Sequence, residues 1–125
     1  MSLTTLHKGA ALWIRDAGGQ HMYFVLTVPH GGKVVIANLS GNPCKVGGAL
    51  QVLPREYARL TKTSYLRFTS ARIASTAELL AGINDSSTPR MTPDAPNALV
   101  LKLSQALIGS DAVATEVVQF LQSNS

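Results

Sequence analysis

His21-Met22-Tyr23-Phe24-Val25-Leu26-Thr27-Val28, then Pro29-His30-Gly31-Gly32, then Lys33-Val34-Val35-Ile36-Ala37-Asn38-Leu39-Ser40: these residues decide the fold. The first run is dense in β-branched and aromatic side chains and too short for a good helix. It is closed by Pro29, which has no backbone N–H to continue a ladder. The second run has the same character. Gly31-Gly32 between them supplies a tight turn. The stretch therefore predicts a β-hairpin whose strands run from His21 to Val28 and from Lys33 to Leu39.

Upstream, Ala11–Ile14 is a short apolar run ended by Asp16-Ala17-Gly18-Gly19, a turn composition. Downstream, 40–48 reads as loop, and Ala49–Leu53 as a third strand stopped by Pro54. Arg55–Lys62 reads as a helical turn or a long loop. Ser64–Thr69 alternates polar and apolar residues as a half-buried strand does, and Ala71–Ala74 extends or follows it. About five short strands at this spacing predict a barrel or a strongly bent sheet.

A short helix is expected over Thr76–Ala81 with Thr76 as its N-cap, and 82–96 has a linker composition. Asn97–Ile108 carries Leu99, Val100, Leu103 and Leu107 at helical spacing. Gly109 is placed to end that helix, Ser110 or Asp111 to cap the next, and Val113, Val117, Phe120 and Leu121 to form its apolar stripe. The expected fold class is mainly β with C-terminal helices in one domain: barrel over 1–81, linker over 82–96, helical hairpin over 97–122 packed on the barrel. Such stripes most simply cap an open barrel end; a docking surface for a second copy or a partner is the other use they suit.

With 125 residues, 46% of them hydrophobic, the chain has the length and composition of one globular domain. No apolar run is long enough for a membrane span, and the first residues lack the pattern of a signal peptide. The single cysteine, Cys44, excludes an internal disulfide and is expected to be an inert buried thiol. These features together predict a cytoplasmic protein. Charge is split: residues 1–75 carry nine Lys/Arg against Asp16 and Glu56, while 76–125 carry two against five acids, giving +7 and −3. A basic body suits a polyanionic or acidic partner, although a solubilising surface has the same composition.

No Walker loop, dinucleotide-binding glycine pattern, zinc spacing or nucleophile elbow is present, and His7, His21 and His30 are not spaced as a metal site. No cofactor and no metal are therefore expected. The hairpin does suggest one arrangement. His21 opens the first strand and Ser40 follows the end of the second, so both belong to the same end of the ribbon, away from the turn. An imidazole and a nearby hydroxyl suit proton transfer at a phosphodiester; two ordinary strand-end polar residues would give the same pattern.

Residues 21–75 resemble the MazF/PemK-type (CcdB-like) toxin barrel, in a divergent branch. The resemblance is carried by Gly19-Gln20-His21-Met22-Tyr23-Phe24-Val25-Leu26-Thr27, by Val34-Val35-Ile36-Ala37-Asn38-Leu39-Ser40 and by Ser64-Tyr65-Leu66-Arg67-Phe68-Thr69-Ser70-Ala71-Arg72. It implies a small SH3-like barrel, a homodimer, and a metal-independent endoribonuclease restrained by an antitoxin. The family's active pair, an arginine opening the first strand and a hydroxyl residue ending the second, corresponds to His21 and Ser40. His21 replaces a permanent bidentate cation with a titratable group. On this reading Arg55, Arg59, Arg67 and Arg72 are candidates for RNA phosphates, and Tyr57 and Tyr65 for stacking on a base. The alternative implied by the missing arginine is a barrel without catalysis that binds a protein or nucleic acid.

Overall fold

A computed structural model describes residues 6–16, 19–41, 50–84 and 90–125. The strands are β1 (Ala11–Asp16), β2 (Gly19–Val25), β3 (Lys33–Ser40), β4 (Gln51–Val52), β5 (Ser64–Leu66), β6 (Arg72–Ser75) and β7 (Arg90–Thr92). The helices are α1 (Thr76–Asn84), α2 (Asn97–Ile108) and α3 (Thr115–Asn124). All pairings are antiparallel, in the order β4-β5-β3-β2-β1-β7, with β6 also on β3. The fold is thus mainly β with C-terminal helices, as the patterning predicts.

The hairpin turns where expected. Gly31 and Gly32 have φ of 59° and 74°, left-handed values that Gly adopts without a Cβ penalty. His30 and Lys33 close the turn by exchanging two backbone hydrogen bonds of 2.9 and 3.1 Å. Positive φ at both central residues is the requirement of a type I′ turn, whose twist matches that of the flanking strands. From that turn, Val25, Phe24 and Tyr23 pair with Ile36, Ala37 and Asn38.

On its other edge β3 pairs first with β6, Lys33 to Ile36 against Ser75 to Arg72, and then with β5, Leu39 and Ser40 against Leu66 and Tyr65. An unbroken ladder counted from Leu39–Leu66 would set Ile36 opposite residue 69. It lies opposite Arg72, so three extra residues have entered. They are taken up by the 3₁₀ turn Phe68–Ser70, where the expected Ser64–Thr69 strand breaks. Ser70 holds the break: its hydroxyl donates to the Arg67 carbonyl at 2.5 Å and accepts the Asn38 N–H at 2.9 Å. The interruption bends the sheet around β3.

Both faces of the central strands are covered, which explains their nearly continuous apolar runs. Met22, Phe24, Leu26, Val35, Ala37 and Leu39 join α2 and α3 in one core through Leu99, Leu103, Leu107, Val117 and Leu121. The alternate positions Tyr23, Val25, Val34 and Ile36 meet Leu6, Leu12 and Leu79 on the opposite face. Leu103, Leu107 and Leu121 are fully buried, each contributing about 1.5–3 kcal/mol over an exposed side chain. The C-terminal helices therefore cap the sheet. Val28 N–H also donates to the Asn124 carbonyl, and the His30 and Phe120 rings meet edge to face at 6.3 Å, fixing α3 to the hairpin.

Several local expectations shift. The third strand narrows to Gln51–Val52 among the described residues, and Cys44 lies outside them. Ser75, not Thr76, caps α1 by accepting the Glu78 N–H; Thr76 instead donates its hydroxyl and its N–H to the Gly32 carbonyl. Neither Ser110 nor Asp111 is the N-cap of α3, which is Ala114; the Ser110 hydroxyl accepts the Ala112 N–H within the preceding turn. Within 82–96, α1 continues to Asn84 and Arg90–Thr92 pair with β1. The open edge of β1 supplies the unpaired backbone groups that make so short a strand worth forming.

Replacing Gly31 or Gly32 by Ala is expected to destabilise the protein by about 1–2 kcal/mol each, since either Cβ must adopt a left-handed conformation. Urea unfolding tests this. A lowered midpoint with an unchanged slope is expected, and an unchanged midpoint would show that the turn is not held this way.

Candidate functional site

The ladder between β2 and β3 is registered from Val25–Ile36 to Tyr23–Asn38. Beyond that pair the strands part. Met22 and His21 on one, Leu39, Ser40 and the following Gly41 on the other, line a cleft of about 290 Å³ with Trp13, Arg59, Leu60, Thr61, Lys62 and Ser64. Strand alternation puts Trp13, Met22, Leu39 and Ser64 on the sheet face that carries α2 and α3. His21 and Ser40 occupy the alternate positions and enter the cleft where the strands separate. Both are half-buried. Ser40 is held from its other side by pairing with Tyr65 on β5, and His21 by pairing with Ile14 on β1.

The rest of the wall comes from the segment between β4 and β5, which is fastened at both ends. Tyr57 is 3% exposed; its ring meets Phe24 edge to face at 5.4 Å, and its hydroxyl donates to the Pro93 carbonyl. Burial pushes that hydroxyl above the usual tyrosine range, against the Thr92 hydrogen bond and the Arg59 charge, with Asp94 adding to the rise. Leu60 N–H then donates to the Tyr57 carbonyl at 3.0 Å, and the Ser64 hydroxyl to the Lys62 carbonyl at 3.3 Å.

Lys62 lies directly across Gly41. A Cβ added to Gly41 would stand 2.8 Å from the Lys62 Nζ and 2.9 Å from its Cε, closer than real side chains pack. The ammonium group is thus one residue from Ser40. Among the described residues no Asp or Glu lines the cleft, and neither Lys62 nor Arg59 is in an ion pair. The nearest acid in sequence, Glu56, is occupied: its carboxylate accepts from the Lys102 ammonium at 2.8 and 3.0 Å and from the Leu53 N–H at 2.8 Å. Burial raises the Glu56 carboxyl, but the Lys102 hydrogen bond, the Leu53 N–H and the charges of Lys102 and Arg55 outweigh it and leave it below the usual glutamate value. Two cations and an imidazole therefore share a half-apolar cleft, an arrangement that attracts an anion.

Of the residues singled out in the sequence, His21, Ser40 and Arg59 line this cleft, and Tyr65 stands beside Ser40 in the ladder. The other four are elsewhere. Arg55 is exposed on the 3₁₀ turn Pro54–Glu56. Tyr57, expected to offer a face to a base, is instead packed in the core, because Phe24 and the Pro93 carbonyl take up both its ring and its hydroxyl. Arg67 is half-buried beside the bend in β3's partner. Arg72 sits 5.9 Å over the Tyr23 ring and lines a separate hollow with Lys33 and Glu116. Lys62 and Trp13 were not singled out; only the pairing of β3 with β5 and of β1 with β2 brings them to Ser40 and His21.

Two residues before Ser40, the carboxamide oxygen of Asn38 is buried without a hydrogen-bond partner among the described residues. Such a group costs about 1–3 kcal/mol. Among the described residues no three His, Cys, Asp or Glu side chains gather as a metal site would require. No described helix is long and apolar enough to cross a membrane.

No protein-family model matches the sequence, and no curated protein does. The fold is similar to that of a chain in the crystal structure of MazE–MazF from Deinococcus radiodurans. The TM-score is 0.54 at 15% identity, over 84% of this chain and 93% of that one. At that identity the likeness establishes a MazF-like fold and leaves chemistry to be argued from the site.

The Glu56–Lys102 pair ties α2 to the segment that walls the cleft. Because the Glu56 pKa is lowered on folding, its contribution is complete above the ordinary glutamate value and is lost as pH falls through the lowered one. Thermal midpoints of the wild type and Glu56→Gln should differ at neutral pH and converge as the solution is acidified below the ordinary glutamate range. A gap independent of pH would show that the ion pair is not the source of the difference.

Proposed function

We propose that this chain is a toxin-like, metal-independent endoribonuclease of a toxin–antitoxin system, with His21 and Ser40 as its reacting and positioning groups. The observation that carries the reading is the meeting of His21, Ser40 and Arg59 at one cleft of about 290 Å³, in a MazF-like fold. In the proposed reaction the neutral His21 imidazole takes the proton of a ribose 2′-hydroxyl. The freed oxygen bonds to the adjacent phosphorus, the bond from phosphorus to the 5′-oxygen breaks, and that oxygen takes a proton from water. The products are a 2′,3′-cyclic phosphate and a 5′-hydroxyl end. Ser40 donates a hydrogen bond to a non-bridging phosphate oxygen, and Arg59 offsets the charge that gathers on the phosphoryl group in the transition state.

An antitoxin is the partner we assign, supported by the neighbour's presence in a MazE–MazF complex. A homodimer acting on RNA in the cytoplasm completes the reading. The competing reading, a barrel that binds RNA or a protein without cutting, draws on His21, whose imidazole lacks the permanent charge of a guanidinium.

Incubating the protein with RNA in the presence of a chelator tests the proposal. The wild type is expected to cleave, His21→Ala to lose roughly 10²–10⁴-fold of the rate, and Ser40→Ala to lose about tenfold. Unchanged cleavage in both variants would remove the pair from the mechanism. Intact RNA that nevertheless binds the wild type would establish the binding reading in its place.

A further inference from the structure

An imidazole and an alcohol hold no fixed charge at neutral pH, yet a phosphodiester brings one negative charge and gains another in the transition state. The charge that receives it must come from elsewhere in the cleft. Its described lining contains two permanent cations, Arg59 and Lys62, and of these Lys62 is the one laid against the residue next to Ser40.

Resting on the reading of this cleft as the RNA site, we infer that Lys62, seated across Gly41, is the principal phosphate-binding residue, with Arg59 as its partner and the Trp13 side of the cleft receiving the attached base. Four features support it. The segment carrying both cations is anchored by the buried Tyr57 and by the Ser64 hydroxyl on the Lys62 carbonyl, so the charges are presented from a fixed backbone. Among the described residues, Glu56 and Asp94 hold other partners, Lys102 and, at 2.6 Å, His7. Gly41 has no Cβ, and any side chain there would displace the ammonium. The cleft also divides by chemistry: Trp13, Met22, Leu39 and Leu60 form an apolar part suited to a base, while Lys62, Arg59, Ser40 and Thr61 form a polar part suited to a phosphate. The hollow between β6 and α3 has two cations as well, but Glu116 lines it and Arg72 is already committed to Tyr23.

The test is binding of a 2′-O-methylated RNA oligonucleotide, which has no 2′-hydroxyl to attack, measured over a range of salt concentrations beside a cleavage assay on unmodified RNA. Lys62→Gln is expected to weaken binding roughly tenfold and to reduce the salt slope by about 0.7, the value of one phosphate contact on a single strand. Lys62→Arg should restore most of both. Gly41→Ala should weaken binding in the same direction by pushing the ammonium aside, and Lys33→Gln, which removes a cation outside the cleft, should change neither quantity. If Lys62→Gln binds with the affinity and slope of the wild type, the inference fails, and cleavage by the wild type would then leave the nuclease reading standing. If the wild type binds but never cleaves while Lys62→Gln loses affinity, the nuclease reading fails and the phosphate site stands. Absence of wild-type binding overturns the inference, and absence of cleavage as well overturns both.

Discussion

The structure depends on β3 being paired along both edges in a register that is broken on one side only. Toward β2 the ladder runs evenly from the Gly31-Gly32 turn; toward β6 and β5 it is interrupted by three residues at Phe68–Ser70. A strand held this way cannot lie in a flat sheet. Its two ends face different partners, and the side chains alternating along it supply both apolar cores. The Ser70 hydroxyl, bonded to the Arg67 carbonyl and the Asn38 N–H, keeps the backbone groups freed by the interruption satisfied.

The cleft is a consequence of the same arrangement. Where β3 turns to pair with β5 it no longer follows β2, and the ends of the two strands open around His21 and Ser40. The pairing of Ser40 with Tyr65 also decides what covers the opening, because the residues just before β5 must pass over it. Those residues include Arg59 and Lys62. Tyr57 and the Glu56–Lys102 pair fasten the start of that segment to the core and to α2, so the position of the charges follows from packing well away from them. The barrel supplies the backbone, and the site belongs to the strand ends and one short connection.

The hairpin was legible because its signals are local: β-branched runs, a proline stop and two glycines that only one turn geometry uses well. The 97–108 helix was legible to its ends for the same reason: Leu99, Val100, Leu103 and Leu107 share one helix face, whereas in a strand Val100 would point away from the other three. Features set by distant partners were not. Arg90–Thr92 has no pattern of its own and forms a strand because β1 has an open edge. The expected strand over Ser64–Thr69 alternates correctly, but alternation does not reveal that its partner leaves room for a three-residue turn. Tyr57 has the same composition as a stacking tyrosine; only the proximity of Phe24 and Pro93 makes it a core residue. His21 and Ser40 could be paired from the hairpin alone. Lys62 could not, since its place beside Ser40 requires the ladder between β3 and β5, a contact between segments over twenty residues apart.

The central claim is that the parted ends of β2 and β3, with the connection before β5, form one anion-receiving site. Residue-resolved NMR during titration with an uncleavable RNA oligonucleotide tests it most directly. The account predicts that signals of His21, Ser40 and Gly41 shift together with those of Arg59 to Ser64 and saturate at one common ligand concentration. Shifts confined to the Lys33–Arg72 face, with His21 and Ser40 unmoved, would contradict it.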